Sequence, residues 1–295
     1  MKRKIFLSLI CLVLLILSGC GGSAEADELA VAATARPVYL FTQAVCEGTD
    51  ITVTCLIDPG ASCLHDYSLS VSEMKQVELS RVIILSGGGL EDFMEDMLRA
   101  SQTTIDAGAG IETLASDAHD HAAGDEADEE QDPHYWMDPA IAAQMVRNIA
   151  DGLTELYPQY GEIFAANAES YCQRLEELQA WGRDLLADLS CRELVTFHDG
   201  FAYFAEAFDL HLAASIEEES GSEASAALLK ELIEIVQDNS IPAIFTETNG
   251  SEAAASVIAG ETGAEIYTLD MIMSGDEDYF TVMERNLLTI KEALG

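Results

Sequence analysis

Apolar positions along the chain fall into two spacings that take turns. Short runs rich in β-branched and aromatic residues, Pro37 to Phe41, Ile51 to Ile57 and Arg81 to Leu85, predict strands; helical spacing near 71–78 and 90–101 predicts the helices beside them. The second half repeats the rhythm. Strands are expected over Glu193 to Phe197, Ile241 to Thr246 and Glu265 to Leu269, and helices near 200–208, 223–238 and 251–262, the last with Ser251 as N-cap and Gly263 as its stop. Such alternation predicts an α/β fold of two similar lobes with mostly parallel sheets, over 36–159 and 190–295. Between them Tyr160 to Leu189 keeps helical spacing without a proline, with Gly161 and Gly182 as its weak points. That stretch, 160–189, reads as one long α-helix joining the lobes.

Two segments depart from the pattern. At the start, Lys2, Arg3 and Lys4 precede an apolar run from Ile5 to Leu17 and then Leu17-Ser18-Gly19-Cys20. The run is short of the roughly 20 residues a helix needs to cross a bilayer, and small residues before a cysteine mark a lipoprotein signal peptide over 1–20. Cleavage ahead of Cys20 and lipidation of its thiol would leave 21–35 as a flexible leader, with the protein extracytoplasmic and anchored to a bacterial cell membrane. The second departure, Ala115 to Asp132, is dense in acids, lacks basic residues and contains His119 and His121, and so predicts a solvated surface loop within the first lobe.

Charge narrows the partners. With 53 acidic against 14 basic residues the formal net charge is −39, which excludes nucleic acid and disfavours anionic lipid surfaces. Of seven cysteines, Cys11 and Cys20 lie in the signal segment, leaving Cys46, Cys55, Cys63, Cys172 and Cys191. Outside the cytoplasm an odd number implies one or two bridges and a free thiol, with Cys46 to Cys55 and Cys172 to Cys191 as local pairings.

Three of the six histidines share a setting: His65 in Leu-His-Asp-Tyr, His134 in Asp-Pro-His-Tyr-Trp-Met-Asp-Pro and His198 in Val-Thr-Phe-His-Asp-Gly, each after a strand or loop and before a helix. Ligands of open α/β sheets gather beyond the carboxyl ends of the strands, where His198 and also Asp270 would stand. Each lobe then contributes two groups to a site in the cleft between lobes. Three neutral imidazoles and a carboxylate suit tetrahedral Zn(II), whereas Mn(II) prefers more oxygen. Cys63, two positions before His65, is a free thiol, a disulfide partner or a thiolate ligand.

These motifs resemble those of the metal-binding lipoproteins that serve ABC importers of zinc and manganese. His-Asp-Tyr at 65–67, Gly-Leu-Glu at 89–91, Asp-Pro-His-Tyr-Trp-Met-Asp-Pro at 132–139, His-Asp-Gly-Phe-Ala-Tyr-Phe at 198–204 and Thr-Glu at 246–247 follow that family's order. The resemblance implies two α/β lobes joined by one long helix, with His65, His134, His198 and Asp270 as metal ligands. Glu247 would support a liganding group or serve as an alternative ligand. Histidine at 198 and the acidic loop resemble the zinc branch, with His119 and His121 as groups for capturing the ion. The implied role is a monomeric binding component that hands Zn(II), or alternatively Mn(II), to a membrane permease.

Other functions compete. A zinc-dependent hydrolase would need a base beside metal-bound water, for which Asp66, Asp199 or Glu247 could be nominated, yet no His-Glu-x-x-His motif occurs. A carboxylate closing the fourth position favours transfer over catalysis, so no enzyme is expected. A surface adhesin built on the same scaffold would be compatible with the same motifs.

Overall fold

The computed structural model describes residues 30–57, 67–98, 102–114, 131–215, 225–248 and 252–295. The first sheet contains β1 (Ala30–Ala33), β2 (Thr52–Cys55), β3 (Val82–Leu85) and β4 (Thr103–Asp106), in the order β2-β1-β3-β4 with every pairing parallel. The second contains β5 (Glu193–Thr196), β6 (His211–Ser215), β7 (Ala243–Glu247) and β8 (Glu265–Leu269), in the order β6-β5-β7-β8, again parallel throughout. The two orders are the same path drawn twice. In each, the chain turns one way from the first strand and the other way from the third, which opens a crevice at the strands' carboxyl ends.

The helices are α1 (Arg36–Val45), α2 (Val71–Leu79), α3 (Pro139–Leu156), α4 (Gly161–Leu185), α5 (Ala202–Ala207), α6 (Ala226–Asp238), α7 (Ala253–Thr262) and α8 (Tyr279–Leu294). The long helix expected between the lobes is α4, 25 residues and so about 37 Å in length. It ends at Leu185, short of Leu189, where Arg192 Nη2 donates to the carbonyls of Leu186 and Ala187 at 3.0 and 3.1 Å. Gly182 does not break it. A Cβ there would lie 2.5 Å from Phe208 Cε1 and 2.9 Å from Leu287 Cδ1, so the glycine lets the second lobe close onto the helix. None of the described helices is long and apolar enough to cross a membrane.

Several expectations for the first lobe need correction. Pro37 to Phe41 is not a strand but the start of α1: the buried residues 36, 37, 38, 41, 42 and 45 repeat at helical spacing, and Pro37 suits a first turn. The strand role belongs to Ala30–Ala33, within the expected leader, where small side chains fit between β2 and β3. The helix expected over 90–101 is a short 3-10 segment, Asp92–Met97, followed by β4. In the second lobe the N-cap of α7 is Glu252, while Ser251 lies outside the described residues; Gly263 does stop that helix, at φ +79°. Cys46, Cys172 and Cys191 carry free thiols, so neither local disulfide forms. Cys172 instead donates to the carbonyl of Ala143 at 3.4 Å, joining α4 to α3.

One apolar core runs through both lobes, from Phe41 of α1 through Phe164 and Leu175 of α4 to Tyr279 and Leu287 of α8. Phe41 meets Tyr279 with ring centroids 5.3 Å apart. Burial shared across the joint makes the two lobes one packed body around the cleft.

Candidate metal centre

The second lobe builds its part of the site directly on strand ends. His198 follows β5 by two residues; Phe197 N donates to Phe245 O at 3.0 Å and Thr196 Oγ1 to His198 O at 3.0 Å, so sheet pairing fixes the backbone on which the imidazole stands. Glu247 is the last residue of β7, with Oε2 3.9 Å from His198 Nδ1. Asp270 follows β8. Its N–H donates to Asn286 Oδ1 at 3.0 Å, and Asn286 Nδ2 returns a bond to the Asp270 carbonyl at 2.7 Å, clamping it to α8. The carboxylate is engaged at both oxygens, Oδ1 by the Ile272 N–H at 2.7 Å and Oδ2 by Arg285 Nη2 at 3.1 Å.

The first lobe contributes His134 from the long connection between β4 and α3, where no strand end can hold it. Side chains do that work. Asp132 Oδ1 accepts the His134 backbone N–H at 2.8 Å and faces ring Nδ1 at 2.7 Å, with both side chains almost fully buried. With Nδ1 committed to a carboxylate, a metal bond from this imidazole runs through Nε2. The connection is laced to its neighbours: Tyr203 Oη donates to Asp132 O at 3.0 Å, Tyr135 Oη to Ser86 O at 2.5 Å, Trp136 Nε1 to Met271 O at 2.9 Å and Tyr279 Oη to Trp136 O at 2.8 Å. Four aromatic polar tips therefore hold one short segment against both lobes.

The imidazoles meet across the cleft. His134 and His198 have ring centroids 5.2 Å apart at 89°, and Trp136 stands 5.2 Å from His134 on another side. Gly200 makes the approach possible. A Cβ on it would fall 2.5 Å from Met271 Sδ, 2.9 Å from His198 Cδ2 and 3.2 Å from His134 Cγ. Burial pushes the Glu247 carboxyl up to about 7, with His134 pulling it down and the Asp270 charge adding to the rise.

Among the described residues no three His, Cys, Asp or Glu side chains already stand at metal-holding separation. His65, expected as a ligand, lies outside the described residues, as do Cys63, the loop histidines His119 and His121, and Cys20. What the fold brings together is His134 with His198 from opposite lobes, with Glu247 beside His198 and coupled electrostatically to His134 and Asp270. Asp132 and Gly200 lie inside the sequence motifs with no role evident from the sequence, and Arg285 and Asn286 lie outside every motif. The Asp two residues before a histidine was a usable signal; nothing in the pattern of α8 marked its two site-facing residues.

Residues 31–293 match the model of the family described as zinc-uptake complex component A, periplasmic, or ZnuA. The chain belongs to this family. Among ZnuA-type relatives, the zinc-binding lipoprotein AdcA of Streptococcus pneumoniae (strain ATCC BAA-255 / R6) is 30% identical over 306 residues, covering 98% of this chain and 61% of AdcA. The chain thus spans about six-tenths of the length of the first curated relatives it matches. A crystal structure of ZnuA superposes with a TM-score of 0.80 at 26% identity, covering 90% of this chain and 99% of the other. The solute-binding protein FpvC of Pseudomonas aeruginosa in complex with Mn2+ gives a TM-score of 0.79 at 27% identity, with 90% and 98% covered. The ZnuA fold, two parallel α/β lobes about one long helix, is the architecture described above.

Proposed function

We propose that this chain is the extracytoplasmic metal-capturing component of an ABC importer, taking up zinc in the interlobe cleft and passing it to a membrane permease. The observation that carries this reading is the pair of imidazoles from opposite lobes, His134 and His198, 5.2 Å apart, one of them backed by a buried carboxylate. A buried histidine held by carboxylate at Nδ1 is oriented with its tautomer fixed and Nε2 left to bind, which is what a metal ligand requires. His134, His198 and Asp270, with His65 as the third imidazole, make a nitrogen-rich set suited to zinc. Glu247 supports His198 or takes the fourth place itself. Membership of a zinc-uptake family and likeness to a zinc-binding lipoprotein favour the same cargo. Manganese is the alternative, favoured by the Mn2+-bound relative and by a second carboxylate at the site.

The remaining parts follow. Lipidated Cys20 tethers a monomer to the cell membrane, and His119 and His121 catch ions weakly and pass them to the cleft. The chain is not an enzyme: with Asp270 or Glu247 closing the coordination, no position is left for an activated water.

The test is a titration of the purified chain after stripping with a chelator, run with zinc and with manganese beside a His198→Ala variant. One tightly bound zinc per chain, lost in the variant, is the expected result. Tight manganese with weak zinc would keep the importer role and change its cargo. Absence of specific binding to either ion would overturn the reading.

A further inference from the structure

Asp270 is spoken for on both oxygens, and its two partners differ in kind. The Ile272 N–H is fixed: Ile272 is fully buried with φ +67°, a backbone region a β-branched residue rarely enters, and the adjoining Met271 carbonyl is held by Trp136 Nε1. The backbone clamp from Asn286 adds to this, so Asp270 is the immobile member. Arg285 is the opposite. Its side chain is 45% exposed, and its second guanidinium nitrogen, Nη1, contacts the carboxylate of Glu277, itself half exposed. Glu277 is tied across the cleft in turn, since its carbonyl accepts from Arg36 Nη2 of the first lobe at 2.5 Å.

We propose that Arg285 is a built-in competitor for the cargo cation, a guanidinium that bridges Asp270 Oδ2 and Glu277 and must let go of Asp270, keeping only Glu277, before a divalent ion can use that carboxylate. The inference rests on the metal-capturing function proposed above, with Asp270 as a ligand. Two positive charges sharing one carboxylate repel, and a partly exposed arginine with a second acceptor at hand can leave without stranding its own charge. Arg285 is then a positioning residue that weakens capture and speeds release, which suits a protein that must hand its ion on.

The competing arrangement, in which Arg285 stays bonded and merely orients Asp270 for the metal, predicts the reverse sign. The experiment is chelator-competition titration and stopped-flow release of zinc from the purified chain and its Arg285→Gln, Arg285→Lys, Glu277→Gln and Asp270→Asn variants. Removing the guanidinium charge should tighten zinc binding and slow release by roughly tenfold, the scale of a screened like-charge contact, with the difference shrinking in high salt. Arg285→Lys keeps the charge and should reverse most of that gain. Glu277→Gln takes away the alternative acceptor, confines Arg285 to Asp270 and should weaken binding.

Equal or weaker binding by Arg285→Gln would overturn the proposal. Should that variant fail to fold, unchanged or tighter binding by Glu277→Gln would do so instead. A wild-type chain that binds no metal defeats the functional reading itself. Wild-type binding with Asp270→Asn weakened and Arg285→Gln not tightened defeats only the role of Arg285.

Discussion

The two lobes share a strand order and yet hold their site residues by different physics. In the second lobe His198, Glu247 and Asp270 stand within two residues of a strand end; parallel sheet pairing fixes the backbone at the first two, and at Asp270 the strand end is joined by a clamp from the Asn286 side chain. In the first, His134 lies far along the connection from β4 to α3, and its position is set by Asp132 and by hydrogen bonds from Tyr203, Tyr135, Trp136 and Tyr279. A strand end places a ligand through backbone bonds that no single side-chain change removes. A laced loop depends on individual side chains, each of which is a point of failure. Substitutions should therefore be felt more in the first lobe's share of the site than in the second's.

The largest effect is expected at Trp136, fully buried, bonded to Met271 across the cleft and in ring contact with His134. Trp136→Ala should cost about 3–5 kcal/mol, the usual range for emptying a buried aromatic site, and should loosen zinc binding as His134 loses its neighbour. Urea unfolding alongside metal titration measures both; a loss of stability with unchanged affinity would mean that Asp132 alone positions the imidazole. Next comes Gly200→Ala, which forces a methyl group against Met271 Sδ and both histidine rings. Overpacking of this kind costs about 1–3 kcal/mol, and here its effect should fall on affinity as well, because two of the three crowded side chains are the proposed ligands His134 and His198.

Asp132→Asn sharpens the comparison. It keeps the shape and removes the charge behind His134 Nδ1, and loss of such a partner lowers metal affinity by about 10- to 100-fold. The corresponding change in the second lobe, Glu247→Gln, acts on a carboxylate 3.9 Å from His198 Nδ1, beyond hydrogen-bond distance, and should cost clearly less. Equal losses from the two variants, read in the same titration, would erase the distinction between a strand-end ligand and a laced one.

The same contrast explains what could be read from the sequence. Three of the four second-lobe strands declare themselves as β-branched runs, whereas β6, His-Leu-Ala-Ala-Ser, carries no such run and is not expected; the rule that ligands gather beyond strand ends then picks out His198 and Asp270. In the first lobe the buried strand is Ala30–Ala33, too short and too small in its side chains to stand out. The aromatic run Pro37 to Phe41, with stronger strand character, is helical because tertiary burial on one face overrode local preference. His134 was found by its motif, not by its place in a pattern. Arg285 and Asn286 lie on an amphipathic helix whose spacing says which face is inward and nothing about which ligand that face will touch. Contacts made across the fold by single side chains leave no periodic trace.

The smallest expected effect separates Glu247 as a strand-end carboxylate from Glu247 as a general source of charge. Burial raises its folded value to about 7 from 4.5, so between those pH values the folded chain holds more of its proton than the unfolded chain does. Its stabilising share is complete below about pH 4.5, declines as pH rises through about 7, and is absent above. Glu91, also buried and pushed up to about 7, contributes in the same direction, so the wild-type slope comes from at least two groups. Glu247→Gln should flatten only part of it, by roughly 1–2 kcal/mol between pH 4.5 and 7.5, after discounting the nominal shift for relaxation around the partly reachable carboxyl. Chelator-treated protein unfolded in urea across that range gives the measurement. A variant curve parallel to wild type would place Glu247 in an environment as wet as the surface, and with it the second lobe's claim to hold its site groups in a dry crevice would fail.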